Sequence, residues 1–362
     1  MIKYLGEISV PGVVALLGEY GLGYGEPALA VAIDPRVNLK AQRTDFDFFI
    51  VDDYKMDPEK HIIFNSAVER YWAGGPLEFI TSSQLPVVSG LGTESALIVA
   101  AVGLLTELSN QPSSDHKLSQ NNGSTMQRLK NVAKQAFKIE KTLIDLSNPL
   151  RTSNAVFGGA IYIDAELQGA ICSIPNRSQN LLTKSRKSKT WNVHNLSFKD
   201  DFTLIIGYPK QKSDFTKAQP KPVFGKPVKK SATTASFESI PQKLHRLVTR
   251  SGLAKDNLKD IGNLTRAGCQ AFINGNYSEL GELMLKELNL ITMLGLCPKE
   301  VRPIIDVARE KSLGVTLTGS VGDAVLAISD DPDSVINNIK DAGFDAIKIN
   351  ISHEGLISKL EK

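Results

Sequence analysis

Hydrophobic and polar positions along this chain change period twice. Residues 2–17 are apolar-rich and interrupted by Pro11-Gly12, and residues 30–42 alternate Val, Ile and Leu with polar positions. Residues 46–51 and 78–84 continue this β-rich pattern. Residues 94–108 are then a run of Ala, Val and Leu without proline, which predicts a buried helix, and 109–125 is a polar loop. Residues 126–146 place Leu129, Val132, Ala133, Ala136, Phe137, Ile139 and Leu143 on one face, the spacing of an amphipathic helix. Strands are expected at 155–163 and 202–208. Residues 209–234, with Pro220, Pro222 and Pro227, predict a long loop. The last third is mostly helical, at 258–274, 277–294, 299–311 and 332–342. It is interrupted by an alternating stretch at 315–328 around a glycine-containing turn, and by a last strand at 346–351. Strands, a central helix and a helix-rich second half predict an α+β protein of two domains, 1–200 and 201–362.

Composition agrees and narrows the class. The chain has 362 residues, a net charge of +3, 42% hydrophobic residues and 22% charged residues, which excludes a disordered or collagenous chain. No stretch approaches the ~20 apolar residues that cross a bilayer. The first residues lack the apolar run of a signal peptide, and Cys172, Cys269 and Cys297 are too few and scattered for a disulfide framework or a zinc site. A reducing, cytoplasmic location is the expectation. Charge is uneven: residues 176–230 carry a balance of +10 against −7 for the rest. Aromatic residues are sparse there, so a solvated loop region is favoured over a nucleic-acid surface.

Three segments carry candidate chemistry. Pro86-Val-Val-Ser-Gly-Leu-Gly-Thr-Glu-Ser-Ala96 brings glycines to the start of the buried helix, where main-chain N–H groups and the helix dipole favour an anion. Tight packing explains such a sequence as readily. The others are Pro11-Gly-Val-Val-Ala-Leu-Leu-Gly-Glu-Tyr20, continuing through Tyr24 to Asp34, and Leu313-Gly-Val-Thr-Leu-Thr-Gly-Ser-Val-Gly-Asp323. In this order the three resemble the signature motifs of the GHMP kinases, with the nearest likeness to mevalonate kinases of archaeal type. The stretch 280–296 and the tail Ile351-Ser-His-Glu-Gly355 also resemble family segments. The resemblance implies a two-domain GHMP-kinase fold, with a ribosomal-protein-S5-like N-terminal half and a helix-rich, ferredoxin-like C-terminal half. It implies ATP and Mg²⁺ as cofactors, a small-molecule substrate such as mevalonate in isoprenoid biosynthesis, and the homodimers common among relatives.

Carried over position by position, the resemblance implies a nucleotide site at Gly90, Leu91, Gly92, Thr93, Glu94, Ser95, Thr318, Gly319 and Ser320. Glu140 and Glu94 become the metal candidates, and Arg151 falls where the family has its catalytic Asp. Arginine stays protonated and cannot be a base. The family's first-motif Lys falls on Val13, its His on Ile144, and its last glycine run reads Gly319-Ser320-Val321-Gly322-Asp323. Positive charge is thus lost at 13, and negative charge gained at 94 and 323. Three functions follow: a mevalonate-kinase-like phosphotransferase, an inactive homologue that binds a metabolite or nucleotide or acts as a regulator, and a related decarboxylase. Glu19 reads as a structural hydrogen-bonding group, Cys269 and Cys297 as core thiols, and His194 and His245 as solvent-exposed.

Overall fold

The computed structural model describes residues 4–86, 90–110, 125–143, 147–165, 169–175, 190–198, 202–210, 240–319 and 324–361. The N-terminal part is a sheet built on two long strands, β1 (Tyr4–Leu17) and β2 (Ala28–Arg43), joined through a short helix, α1 (Glu19–Leu22). They pair antiparallel along their length, with a register shift at Pro11/Gly12, so the predicted interruption is a bulge inside one strand. β3 (Ile50–Val51) and β4 (Tyr54–Lys55) form a small hairpin, followed by α2 (Ile62–Tyr71) and β5 (Leu77–Ser83). The second half of β2 pairs with β5.

Next come the buried helix α3 (Thr93–Ser109), α4 (Thr125–Leu143), α5 (Leu150–Phe157) and three strands, β6 (Ala160–Asp164), β7 (Cys172–Pro175) and β8 (Thr190–Leu196). β6 pairs with the first half of β2. Helix α3 is apolar on all sides because it has no solvent face: it lies between β1 and β2 below and α2, α4 and α5 around it.

The second part is a four-stranded antiparallel sheet. It is built from β9 (Leu204–Tyr208), β10 (Gly314–Thr318), β11 (Ala324–Ile328) and β12 (Asp345–Ile349), in the order β10-β11-β9-β12. Helices α6 (Ile240–Arg250), α7 (Gly252–Ile273), α8 (Tyr277–Met293), α9 (Arg302–Arg309) and α10 (Pro332–Asp341) accompany it. The final strand β13 (Ile357–Leu360) returns to the first sheet and pairs with β1. Arg36 fixes this return, donating to Ser9 Oγ, Ser9 O, Ser352 Oγ, Glu354 O and Gly355 O.

The architecture is the expected α+β, with local differences. Residues 155–163 are the end of helix α5 and then β6, not one strand. Asn148 Oδ1 accepts from the Leu150 amide across Pro149, an Asx turn leading into the helix. Of 46–51 only Ile50–Val51 is strand. The proline in its first turn hides helix α6 from its sequence, and α2, β7 and β8 are additions to the expected elements. His194 is not exposed: it lies on β8 and is 7% accessible. His245 is half-buried on α6. All three cysteines are buried and free. Among the described residues, no helix is long and apolar enough to cross a membrane. The basic stretch falls outside the described residues, except for 190–198 and 202–210.

Candidate nucleotide and acceptor site

Five segments converge at the amino end of α3. Gly92 precedes the helix with φ +75°, a conformation that favours glycine, and no side chain caps the helix. Among the described residues, none accepts from the amides of Thr93, Glu94 and Ser95, whereas the Gly92 carbonyl already takes the Ala96 amide. A 17-residue helix therefore presents its first turn of N–H groups, with the positive end of its dipole, beside the glycine turn.

The turn is pressed onto β1. The Val13 amide donates to the Leu91 carbonyl at 2.9 Å, and the Leu91 side chain is fully buried, so only its main chain is left for a ligand. On the other side lies the end of β10. A Cβ on Gly90 would meet Thr318 Oγ1 at 2.3 Å, and one on Gly319 would meet Gly90 Cα at 2.3 Å. Both positions need glycine because backbone touches backbone. The buried Tyr20 hydroxyl donates to the Gly319 carbonyl at 3.3 Å, tying α1 to the same junction. Ser320, Val321, Gly322, Asp323 and Ile144 lie outside the described residues.

Arg151 is at the centre of this junction. Its Nη1 donates to Gly90 O at 2.8 Å and to Val13 O at 3.1 Å. Its Nε and Nη2 both donate to Glu19 Oε1, at 3.1 and 2.8 Å. Position 13 carries no charge, as its sequence shows, but a cation lies close by. Val13 is buried and apolar, but a guanidinium from α5 reaches across to its carbonyl. Glu19 Oε1 is the acceptor that engages the rest of the Arg151 fork.

Carboxylates gather around this cation. Glu140, on the apolar stripe of α4, is 3% accessible and accepts from Ser95 Oγ at 2.5 Å, and its other oxygen, Oε2, has no partner among the described residues. Its carboxyl is raised to about 7: burial is the main cause, the Ser95 hydrogen bond and Arg151 oppose the rise, and Glu94 and Glu19 add to it. Glu94 is exposed on the first turn of α3.

Sequence reasoning missed Glu287. It is 2% accessible on α8, and both its oxygens accept from the Gly18 amide at 3.0 and 3.1 Å. Burial raises it to about 8, the Gly18 hydrogen bond opposes this, and Glu19 adds to it. The signal was available, because Glu287 interrupts the apolar stripe of Leu280, Met284, Leu288 and Ile291. A separate cavity of about 310 Å³, lined by Thr106, Glu107, Asn110, Gln127, Arg128, Asn131 and Val132, lies at the far end of α3, away from this junction.

The comparisons with known proteins agree with this arrangement. Residues 269–344 match the family described as GHMP kinases C terminal. The mevalonate kinase of Methanothermobacter thermautotrophicus is 22% identical over 322 residues, 87% of this chain and 86% of its own length. The crystal structure of the Methanococcus jannaschii mevalonate kinase superposes with a TM-score of 0.65 at 14% identity, covering 97% of this chain and 98% of that one. The L. major mevalonate kinase in complex with R-mevalonate gives a TM-score of 0.65 at 17% identity, covering 95% and 94%. The fold is that of these kinase structures. Residues 269–344 thus match the GHMP kinase C-terminal family, and over nearly its full length the chain is similar, at about 22% identity, to archaeal mevalonate kinases.

Proposed function

We propose that this protein transfers the γ-phosphoryl group of ATP to a hydroxyl on a small metabolite, with mevalonate as the first acceptor to try. One observation carries the reading: the amides of Thr93, Glu94 and Ser95 at the head of α3 have no acceptor among the described residues, beside a glycine turn that leaves the backbone bare. The choice of acceptor is supported by the relatives, which are named as mevalonate kinases.

In this reading the first turn of α3 and the Gly90–Gly92 main chain hold the phosphates, and Thr318 and Gly319 close the opposite side. Arg151 keeps the glycine turn seated on β1. The residues present fit Mg²⁺. Glu140 has a buried oxygen without a partner among the described residues, the Ser95 hydroxyl has lone pairs left after donating to it, and Glu94 adds a second carboxylate, a set of hard oxygen donors. Bound there, Mg²⁺ supplies charge neutralisation to the nucleotide phosphates. Without it, a carboxylate ~4–6 Å from a phosphate costs on the order of 1–4 kcal/mol, so binding should depend on the cation. In this reading the nucleotide lies mainly on the part before residue 200, with Thr318 and Gly319 of the second part closing over it, and the acceptor lies between the two sheets.

Titration calorimetry with Mg-ATP and a coupled assay of ADP release with mevalonate test the reading. It expects nucleotide binding at or below the millimolar range, with mevalonate-dependent turnover. Absence of both ends it. Binding without turnover would favour the inactive, ligand-binding homologue, a role consistent with a central arginine engaged by protein acceptors.

A further inference from the structure

The hydrogen bonds of Arg151 and Glu19 do not balance. A guanidinium has five N–H donors, and four of those of Arg151 are engaged within the protein: two on carbonyls of β1 and the glycine turn, two on Glu19. At most one is left, so this arginine cannot offer a two-pronged grip to a phosphate or a ligand carboxylate without breaking an internal bond. Both donors to Glu19 fall on the same oxygen, Oε1. Oε2 is closed to water and has no partner among the described residues. The pair is 14% and 12% accessible by side chain, so this oxygen lies in a site where an unmade hydrogen bond is unfavourable.

The other carboxylates at the junction have assignments. Glu287 has both oxygens on the Gly18 amide. Glu140 faces Ser95 and is the metal candidate. The first turn of α5 contributes arginine and no acid. Glu19 is therefore the unassigned carboxylate with a free acceptor atom among the described residues. It is fixed by the same guanidinium that holds the Gly90 carbonyl of the glycine turn.

We propose that Glu19 is the catalytic carboxylate of this site, its Oε2 accepting the hydrogen of the acceptor hydroxyl, and that Arg151 is a positioning residue that holds it there. This rests on the phosphotransferase reading above. In the transfer step the hydroxyl proton passes to Oε2 as the hydroxyl oxygen bonds to the γ-phosphorus. The bond from that phosphorus to the bridging oxygen breaks, and its electron pair leaves with ADP. The roles follow from geometry: Arg151 occupies Oε1 of Glu19, which fixes rotamer and charge, and leaves Oε2 unpaired among the described residues; the acceptor hydroxyl reaches that oxygen by displacing the side chains that close it from water in this structure.

The test compares wild type with Glu19→Gln, Glu19→Asp and Arg151→Lys, using Mg-ATP with mevalonate and Mg-ATP with water alone. Glutamine keeps an oxygen for Arg151 but puts an N–H₂ where Oε2 was. Glu19→Gln should lower kcat about 100-fold or more, in line with the typical ~10²–10⁴-fold contribution of a positioned base, with Mg-ATP affinity within about twofold of wild type. Glu19→Asp should recover part of the rate. Arg151→Lys, which keeps the charge and loses the fork, should lower kcat while leaving a carboxylate to act. Retained Mg-ATP affinity serves as the check of folding. An active wild type with an equally active Glu19→Gln overturns the proposal while the phosphotransferase reading stands. So does a rate loss in Glu19→Gln matched by an equal loss of Mg-ATP binding. A wild type silent with mevalonate and with water overturns both.

Discussion

Replacing Glu287 by glutamine tests whether the carboxyl behind the Gly18 turn is held neutral by the fold. The buried acid rises from an ordinary value of 4.5 to about 8. Below pH 4.5 it is protonated in folded and unfolded chains alike and has no effect on the pH dependence. Between 4.5 and 8 the folded state holds the proton and the unfolded state has released it, so stability falls as pH rises. At about 1.4 kcal/mol per tenfold, the loss attributable to this residue reaches about 3 kcal/mol at pH 7 and about 5 kcal/mol above pH 8. A glutamine side chain in its place would keep an oxygen for the Gly18 amide and remain neutral throughout.

Urea unfolding of wild type and Glu287→Gln at pH 5, 7 and 9 measures the difference. Glu140, raised to about 7 with the same sign, is common to both proteins and cancels in the comparison. The two proteins should be nearly equal in stability at pH 5, and the variant should be more stable by several kcal/mol at pH 9. Parallel curves of stability against pH would refute the argument, because they would mean that Glu287 is ionised in the fold at neutral pH.

Two further substitutions probe the junction and its support. Gly319→Ala puts a methyl group 2.3 Å from Gly90 Cα at a residue with φ +76°, and should lower unfolding free energy by about 1–3 kcal/mol in chemical denaturation; an unchanged midpoint would contradict the backbone contact. Arg36→Met removes five hydrogen bonds that hold Ser9 and the 352–355 tail, and should cost about 2–5 kcal/mol and speed proteolytic cleavage near the C-terminus, which a timed digest followed by mass spectrometry detects.

The parts of this molecule legible in its sequence are those set by local period and local turn chemistry. Helix α3 follows from an apolar run without proline. The β10–β11 pair follows from alternation around a glycine, and α10 from Asp331, whose side chain caps the Ser334 amide ahead of Pro332. The parts missed depend on partners distant in sequence. Helix α5 buries Thr152, Ser153 and Asn154 completely, so its pattern looks polar; these residues are inside because α5 packs among α3, α4, β1 and β2, with Gly355 of the tail against the Val156 carbonyl. Along the sequence Glu287 shows only as a charge on the apolar stripe of its helix, and the Gly18 amide, 269 residues away, shows why it is buried.

The same distinction governs the site. Along the sequence, valine at 13 and arginine at 151 are two separate losses, one of a cation and one of a base. In space they are a single rearrangement, because a side chain 138 residues away lays its guanidinium on the Val13 carbonyl. The cation moves from β1 to α5, and the nearest carboxylate then belongs to the turn after β1 instead of to α5. A charge that enters from the opposite wall must also be held there, which explains why it touches three separate segments at once and why Glu19 receives both of its remaining hydrogen bonds on one oxygen. Restoring a lysine at 13 alone would therefore bury an ammonium at a fully buried position of the apolar core, on the residue whose carbonyl already holds the Arg151 guanidinium, a change expected to destabilise the fold before it could restore any chemistry.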